Sequence, residues 1–414
     1  MRTLIWINSR ILSVVFIVIL FLTGTSTDAK VVSGLEQLLG DQLELIQGKR
    51  LGIVANQTSR DAEGRHIVDL LAEHADIAVL FALEHGFMGN IEAGGRVGTS
   101  SLGEIKIFSL YGETREPTPE MLQGVDVLIY DVQDVGVKFY TYISSLYYLL
   151  RAAGKADLPV LVMDRPNPID AVRVEGAITQ AEFSSFVGII PIPVRYGMTI
   201  GELAQMMNRE EFHGKRINAR LRVIPMRGYE RAMVFSETGL PWVPTSPNIP
   251  TPETALIYPG TCLFEGSNLS EGRGTEAPFL TMGAPFIDAG DWLEAIPAEV
   301  RKGCTLTTTQ FTPQNIPGKA VNPKYEGQLC NGLRIEIFDH QVLQPIELAI
   351  AMLSAAKRLY PDEVKFTSFL DKLWGNGQLR IMLNEKKSYA QILEQGIHET
   401  EDFKKIREKY LIYP

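Results

Sequence analysis

Four stretches of this chain deliver polar side chains straight after short apolar runs. The run 77–83 ends in Glu84-His85-Gly86, and 125–130 ends in Asp131, Gln133 and Asp134. The run 159–163 ends in Asp164-Arg165-Pro166-Asn167-Pro168, and 51–55 in Asn56-Gln57-Thr58. If the runs are strands of one parallel sheet, their carboxyl ends share a rim, which is where open α/β sheets bind ligands. Carboxylates dominate that rim, and a carboxylate can move a proton or attack an electrophilic carbon. Glu84 is the sharpest case. It follows seven mostly apolar residues, so part of its carboxyl should leave water, and desolvation lifts a carboxyl pKa toward what a general acid needs. Plainer roles exist for its companions. Asp164 and Arg165 can form an ion pair fixing a proline-rich turn, Asp131 can cap a helix starting near Val137, and His85 can be an ordinary turn residue.

A second cluster is Glu265-Gly-Ser-Asn268-Leu-Ser-Glu271-Gly-Arg273-Gly-Thr275, preceded by Trp242 and by Ser246-Pro247-Asn248-Ile249-Pro250. Its glycines let backbone approach a ligand closely; the plainer alternative is a turn-rich loop with local ion pairs. An aromatic face beside amides and carboxylates suits a sugar ring, whose C–H face stacks while its hydroxyls find polar partners. Paired carboxylates are also the equipment of glycoside hydrolysis, one as acid and the other as base or nucleophile.

Other chemistries are excluded by what is missing. There is no G-x-G-x-x-G after the first strand, no G-x-x-x-x-G-K-[ST], no G-x-S-x-G and no H-E-x-x-H, and the six histidines are scattered. No metal site and no cofactor are therefore expected. A net charge of −9 without a long basic run argues against nucleic acid as partner. Three cysteines, Cys262, Cys304 and Cys330, leave at least one thiol unpaired and allow one disulfide.

The elements that must position these groups follow from periodicity. Strands are expected over 51–55, 77–83, 105–110, 125–130, 159–163, 221–225 and 333–338. Helices are expected at Ile67, Leu70, Leu71 and His74, over 139–153, over 201–208 behind a Thr199/Glu202 capping box, and over 345–359 and 401–411. Strand alternating with helix predicts an α/β fold with a parallel sheet covered on both faces. Gly and Pro become dense from Ser236 to Pro285, which predicts long ordered loops and a boundary near Phe235. The domains are thus 30–235 and 236–414. Residues 1–29, with Arg2, Arg10, an apolar run over 11–22 and small residues over 23–29, have the order of a secretory signal. The expected location is secreted or periplasmic, with no stable membrane insertion after cleavage.

At these residues the chain resembles the exo-β-N-acetylmuramidase family, the NamZ-like proteins formerly grouped as a domain of unknown function. The matching blocks are A-N-Q-T from Ala55, L-F-A-L-E-H-G from Leu80, S-L-Y-G from Ser109, D-V-Q-D-V-G-V-K-F-Y-T-Y from Asp131 and D-R-P-N-P from Asp164. They continue with G-M-T-I-G-E from Gly197, S-P-N-I-P from Ser246 and Y-P-G-T-C-L-F-E-G-S-N-L-S-E-G-R-G-T from Tyr258. The resemblance implies a Rossmann-like domain, a smaller α+β carboxyl-terminal domain, and an active site between them. It further implies release of terminal N-acetylmuramic acid from the non-reducing end of peptidoglycan fragments, muropeptides or disaccharides, with Glu84 as leading catalytic group. Leu83, Met88, Lys138, Tyr196 and Ser267 depart from the family's usual residues. Within that reading Glu84 protonates the leaving oxygen. Glu271, Glu265, Asp164 or the substrate's own acetamido group supplies the second function. Arg273 and Arg165 are the candidates for the lactyl carboxylate, and His85, Asp131, Gln133, Tyr140, Asn167, Asn248 and Asn268 for the sugar. The rival reading is an exported sugar-binding protein without chemistry; a metal-dependent hydrolase is a third.

Overall fold

A computed structural model of the chain describes residues 30–394 and 399–414. The expected signal segment 1–29 lies outside the described residues. The branched apolar runs form a seven-stranded sheet built from β1 (Arg50–Ala55), β2 (Asp76–Ala82), β3 (Ser100–Leu102), β4 (Ile105–Ser109), β5 (Val127–Asp131), β6 (Pro159–Met163) and β7 (Arg220–Ile224). Its order is β3-β4-β2-β1-β5-β6-β7, parallel throughout except for the short edge strand β3. Residues alternate faces along each strand, and the burial follows. Leu51, Ile53, Val127 and Ile129 pack with α1 (Gly34–Asp41) and α2 (Ile67–Ala72), whereas Val54, Leu128 and Tyr130 pack with α3 (Tyr142–Ala156) and α4 (Ile200–Arg209).

The helix starts carry their own logic. Thr199 and Glu202 form the expected capping box on α4. The Asp131 cap expected near Val137 is absent: α3 begins at Tyr142, and Asp131 is the last residue of β5, paired with Arg165.

The carboxyl-terminal half contains a three-stranded antiparallel sheet, order β8-β10-β9, from β8 (Thr281–Ala284), β9 (Cys304–Phe311) and β10 (Cys330–Ile337). Where long loops were expected, the chain forms α5 (Pro252–Thr261). Thr251 caps it and Pro252 opens its first turn, where a missing N–H costs nothing. Gly260 lies against α7 (Pro345–Leu359) so closely that a Cβ would come within 1.8 Å of the Pro345 carbonyl oxygen. The density of Pro and Gly there marks a helix start and a helix crossing rather than a loop. One apolar core runs from the α3 face of the large sheet through Trp292 of α6 (Ala289–Ala295) and α7, so the two halves pack as one body. The last residues return to the first half, where the Tyr413 hydroxyl donates to Asp164 at 2.6 Å.

Candidate active site

The site begins where β2 ends. After Ala82 the chain passes through buried Leu83 and brings Glu84 to the rim, 8% exposed. Three neighbours supply its hydrogen bonds. Tyr111, just beyond β4, donates its hydroxyl to Oε1 at 2.9 Å. The Gly94 N–H donates to the same oxygen at 3.0 Å, and the Thr141 hydroxyl to Oε2 at 2.5 Å. Thr141 is the N-cap of α3 but makes no side-chain bond to its own helix. Its hydroxyl serves Glu84 instead, which sets the carboxylate against a helix N-terminus, where the exposed N–H groups favour negative charge.

His85 follows in a left-handed backbone conformation, φ 70°, and Gly86 continues it at 76°. The His85 Nδ1 lies 2.8 Å from the Ile91 carbonyl oxygen. Burial pushes this imidazole below its usual pKa, with Glu84 pulling the other way, so the neutral ring donates from Nδ1 and keeps Nε2 as an acceptor.

The opposite wall comes from the loop between α5 and β8. Arg273 donates to Glu265 at 2.6 Å and lies 3.4 Å from Glu271, while Lys324 reaches Glu271 at 2.9 Å. Lys324 also donates to the carbonyls of Phe264 and Leu269. Burial opposes the Arg273 charge, but Glu265 and Glu271 outweigh it and hold its pKa above the ordinary value. Gly272, at φ 80°, passes so close to the Thr281 carbonyl that a side chain would clash, and this tight passage keeps Glu271 and Arg273 against the cavity. The loop is thus both the ion-paired turn and the polar wall that its sequence allowed.

Between the walls lies a cavity of about 670 Å³ lined by Glu84, His85, Tyr140, Glu265, Glu271 and Arg273, among others. Its floor is aromatic. Tyr140, Tyr258 and Phe279 meet edge to face, with centroids 6.1 and 4.8 Å apart, and the Arg273 guanidinium covers Phe279 at 5.0 Å. Arg115, stacked on Phe186 at 4.5 Å, and Lys319 line the same space.

Six of the thirteen expected residues therefore meet in one cavity, and the other seven do not line it. Asp164 is fully buried beneath α4, accepting from the N–H groups of Arg165 and Gly201 and the hydroxyls of Thr199 and Tyr413. Arg165 is spent on Asp131 and on the Arg60 carbonyl. Gln133 bonds the carbonyls of Asp134 and Pro166, and Asn167 that of Met198. Asn248 holds the Lys319 carbonyl at 2.7 Å and so positions a lining residue from behind. Asn268 ties its loop to Glu363 and Lys365. Trp242 packs on Phe235 outside the cavity. For the residues after β6 the reason is width: β2 and β6 are separated by β1 and β5, so their ends lie about 14 Å apart at the usual strand spacing. One rim holds more than one site. All three cysteines are free and buried.

Tyr111, Thr141, Lys324, Arg115, Lys319, Tyr258 and Phe279 were not singled out from sequence. Tyr111, Thr141 and Tyr258 do stand inside the S-L-Y-G, F-Y-T-Y and Y-P-G-T-C blocks, which was the available signal. The cations carried none.

Comparison with known proteins bears on this geometry directly. The family model for the N-terminal domain of exo-β-N-acetylmuramidase NamZ matches residues 51–253, and that for its C-terminal domain matches 256–413. The peptidoglycan β-N-acetylmuramidase NamZ of Bacillus subtilis (strain 168) is 40% identical over 396 residues, covering 94% of this chain and 93% of its own. Crystal structures of two DUF1343 family proteins from Bacteroides fragilis NCTC 9343 superpose with TM-scores of 0.83 and 0.75 at 29% and 32% identity. Each covers 93% of this chain and 99% of its own. With both domain models matched in order across nearly the whole described chain, the protein belongs to the exo-β-N-acetylmuramidase NamZ family.

Proposed function

We propose that this protein is an exported exo-β-N-acetylmuramidase that releases terminal N-acetylmuramic acid from the non-reducing end of peptidoglycan fragments, with Glu84 as general acid/base. The observation that carries the reading is a single cavity between the two halves, with Glu84 on one wall and the Glu265–Arg273–Glu271–Lys324 network on the other. The aromatic floor offers the C–H face of a sugar a stacking surface.

Glu84 is held by groups that can serve either form of a carboxyl. Two of its three donors are hydroxyls, and a hydroxyl that donates to a carboxylate can rotate and accept from a carboxylic acid. N-acetylmuramic acid also carries a lactyl carboxylate. Arg165 lies outside the cavity, and Arg273 is already held by two carboxylates. Among the described residues Arg115 and Lys319 are the lining cations without an ion-pair partner, so the anion falls to them. Export rests on the order of charge, apolar run and small residues over 1–29.

The test is Glu84→Gln, assayed on a chromogenic β-N-acetylmuramide. The expected loss in kcat is on the order of 10²–10⁴, with the fold retained. Turnover near wild type removes Glu84 from the mechanism. Tight muropeptide binding by the wild type with no product on long incubation would favour a binding protein.

A further inference from the structure

Residues 84 and 85 are consecutive and lie in the turn that follows β2; had the strand run on, they would point to opposite faces. Both side chains nevertheless line the same cavity. The backbone accounts for this. His85 takes φ 70° and Gly86 φ 76°, a left-handed turn that a non-glycine residue adopts at a cost and that concentrates at functional sites. The turn re-aims the imidazole beside Glu84. The Ile91 carbonyl, 2.8 Å from Nδ1, then fixes the tautomer. Among the described residues Nε2 has no hydrogen-bond partner, and the neutral ring, which lines the cavity, keeps its lone pair there.

The three carboxylates named above for the second function are occupied or lie elsewhere, and attack by the substrate's own acetamido group would retain the anomeric configuration. Glu265 is paired with Arg273, Glu271 with Arg273 and Lys324, and Asp164 lies outside the cavity. We infer that His85 is the general base that activates the attacking water, with Glu84 as acid. The inference rests on the glycosidase reading above.

The step balances as follows. Water attacks the anomeric carbon from the face opposite the leaving group, forming a new C–O bond as its proton passes to His85 Nε2. The bond from that carbon to the leaving oxygen breaks, and the oxygen takes the proton of the Glu84 carboxyl. The sugar departs with inverted anomeric configuration, and solvent carries the proton from the imidazolium back to the Glu84 carboxylate. Burial, with Arg273 on the same side, outweighs Glu84, the Ile91 carbonyl and Glu92, which favour the cation, and so holds the imidazole below its ordinary pKa.

His85→Asn separates this role from a structural one. Asparagine tolerates the left-handed region, and its amide can donate to Ile91 as Nδ1 does, but it cannot take a proton. On an activated aryl β-N-acetylmuramide the variant should keep its melting temperature and KM and lose 10²–10⁴-fold in kcat. The acid limb of the wild-type pH profile should vanish, and sodium azide should restore turnover by forming the α-glycosyl azide. Wild type should release the α-anomer first, read by NMR. A β-anomer released first, near wild-type turnover in His85→Asn, or loss of turnover without azide rescue each overturn the assignment while leaving the glycosidase reading intact. A wild type that does not turn over the substrate overturns that reading, and the His85 step with it.

Discussion

Glu84 and Asp164 occupy equivalent places in one sheet. Each follows a buried parallel strand, each is almost wholly withdrawn from solvent, and each is surrounded by donors. They differ in where the donors come from and in what lies beyond them. Asp164 is met by four donors drawn from its own turn, the first turn of α4 and its cap, and the chain's penultimate residue. No side of its carboxylate opens to a cavity. Glu84 is met by three donors and faces about 670 Å³ of space. A carboxylate at a strand end is thus either a clamp or a reagent, and the number of elements converging on it decides which.

The largest effect that can break this contrast is on stability. Asp164→Ala strands two buried N–H groups and two hydroxyls at once. Each unsatisfied buried donor costs about 1–3 kcal/mol, so even with relaxation a loss of roughly 3–5 kcal/mol is expected. Urea and thermal unfolding would read it, and kcat/KM of the molecules that remain folded should stay within about twofold, on the order of assay scatter. Glu84→Gln should do the reverse. If Asp164→Ala instead lost turnover and kept stability, the β6 end would belong to the site.

A pH series sharpens the same comparison with a smaller effect. Burial pushes the Asp164 carboxyl up to about 7, with Glu202 adding to the rise, while the Tyr413, Thr199 and Gly201 donors pull it down. The folded value lies above the unfolded one, so the fold favours the protonated form. The stability this group contributes is fully present below about pH 4, is lost as pH rises toward 7, and changes little beyond. Asp164→Asn removes that dependence. Between pH 5 and 7 the wild type should lose stability relative to Asp164→Asn by at most about 1.4 kcal/mol per pH unit. Parallel urea midpoints at the two pH values would contradict the assignment.

How much of this was legible beforehand depends on whether a feature is local. The runs that became β1, β2 and β6 were plain because fully buried parallel strands are continuous branched apolar sequence. The cap of α4 was plain because Thr199 and Glu202 stand at capping-box spacing. The helix α5 was hidden because Pro252 and Gly260 take their meaning from a helix start and from contact with α7. The same holds in the site. Glu84 announced itself by its position after an apolar run. Its partner Thr141 looks in sequence like any capping residue, and the bond it makes crosses 57 positions. Lys324 has no local signal at all, since what it joins lies 53 to 60 residues away. Asp131 and Arg165 stayed among the candidates because sequence shows that strand ends share a rim but not how many strands lie between them.

The smallest effect concerns Asn268, which stands inside the Glu265–Arg273 segment yet does not line the cavity. Its amide donates to the Glu363 carbonyl at 2.9 Å and accepts from the Lys365 N–H at 2.8 Å, stitching the loop to the chain before α8 (Ser368–Trp374). The side chain is only half-buried, so water can replace both bonds when it is removed. Asn268→Ala should therefore cost about 1 kcal/mol in unfolding free energy. The position of Arg273 is held by Glu265 and by the close passage at Gly272 rather than by this stitch, so kcat and KM on a β-N-acetylmuramide should not move. A tenfold rise in KM would mean that the sugar reaches past Arg273 to the outer side of the loop, and the cavity wall would have to be redrawn there.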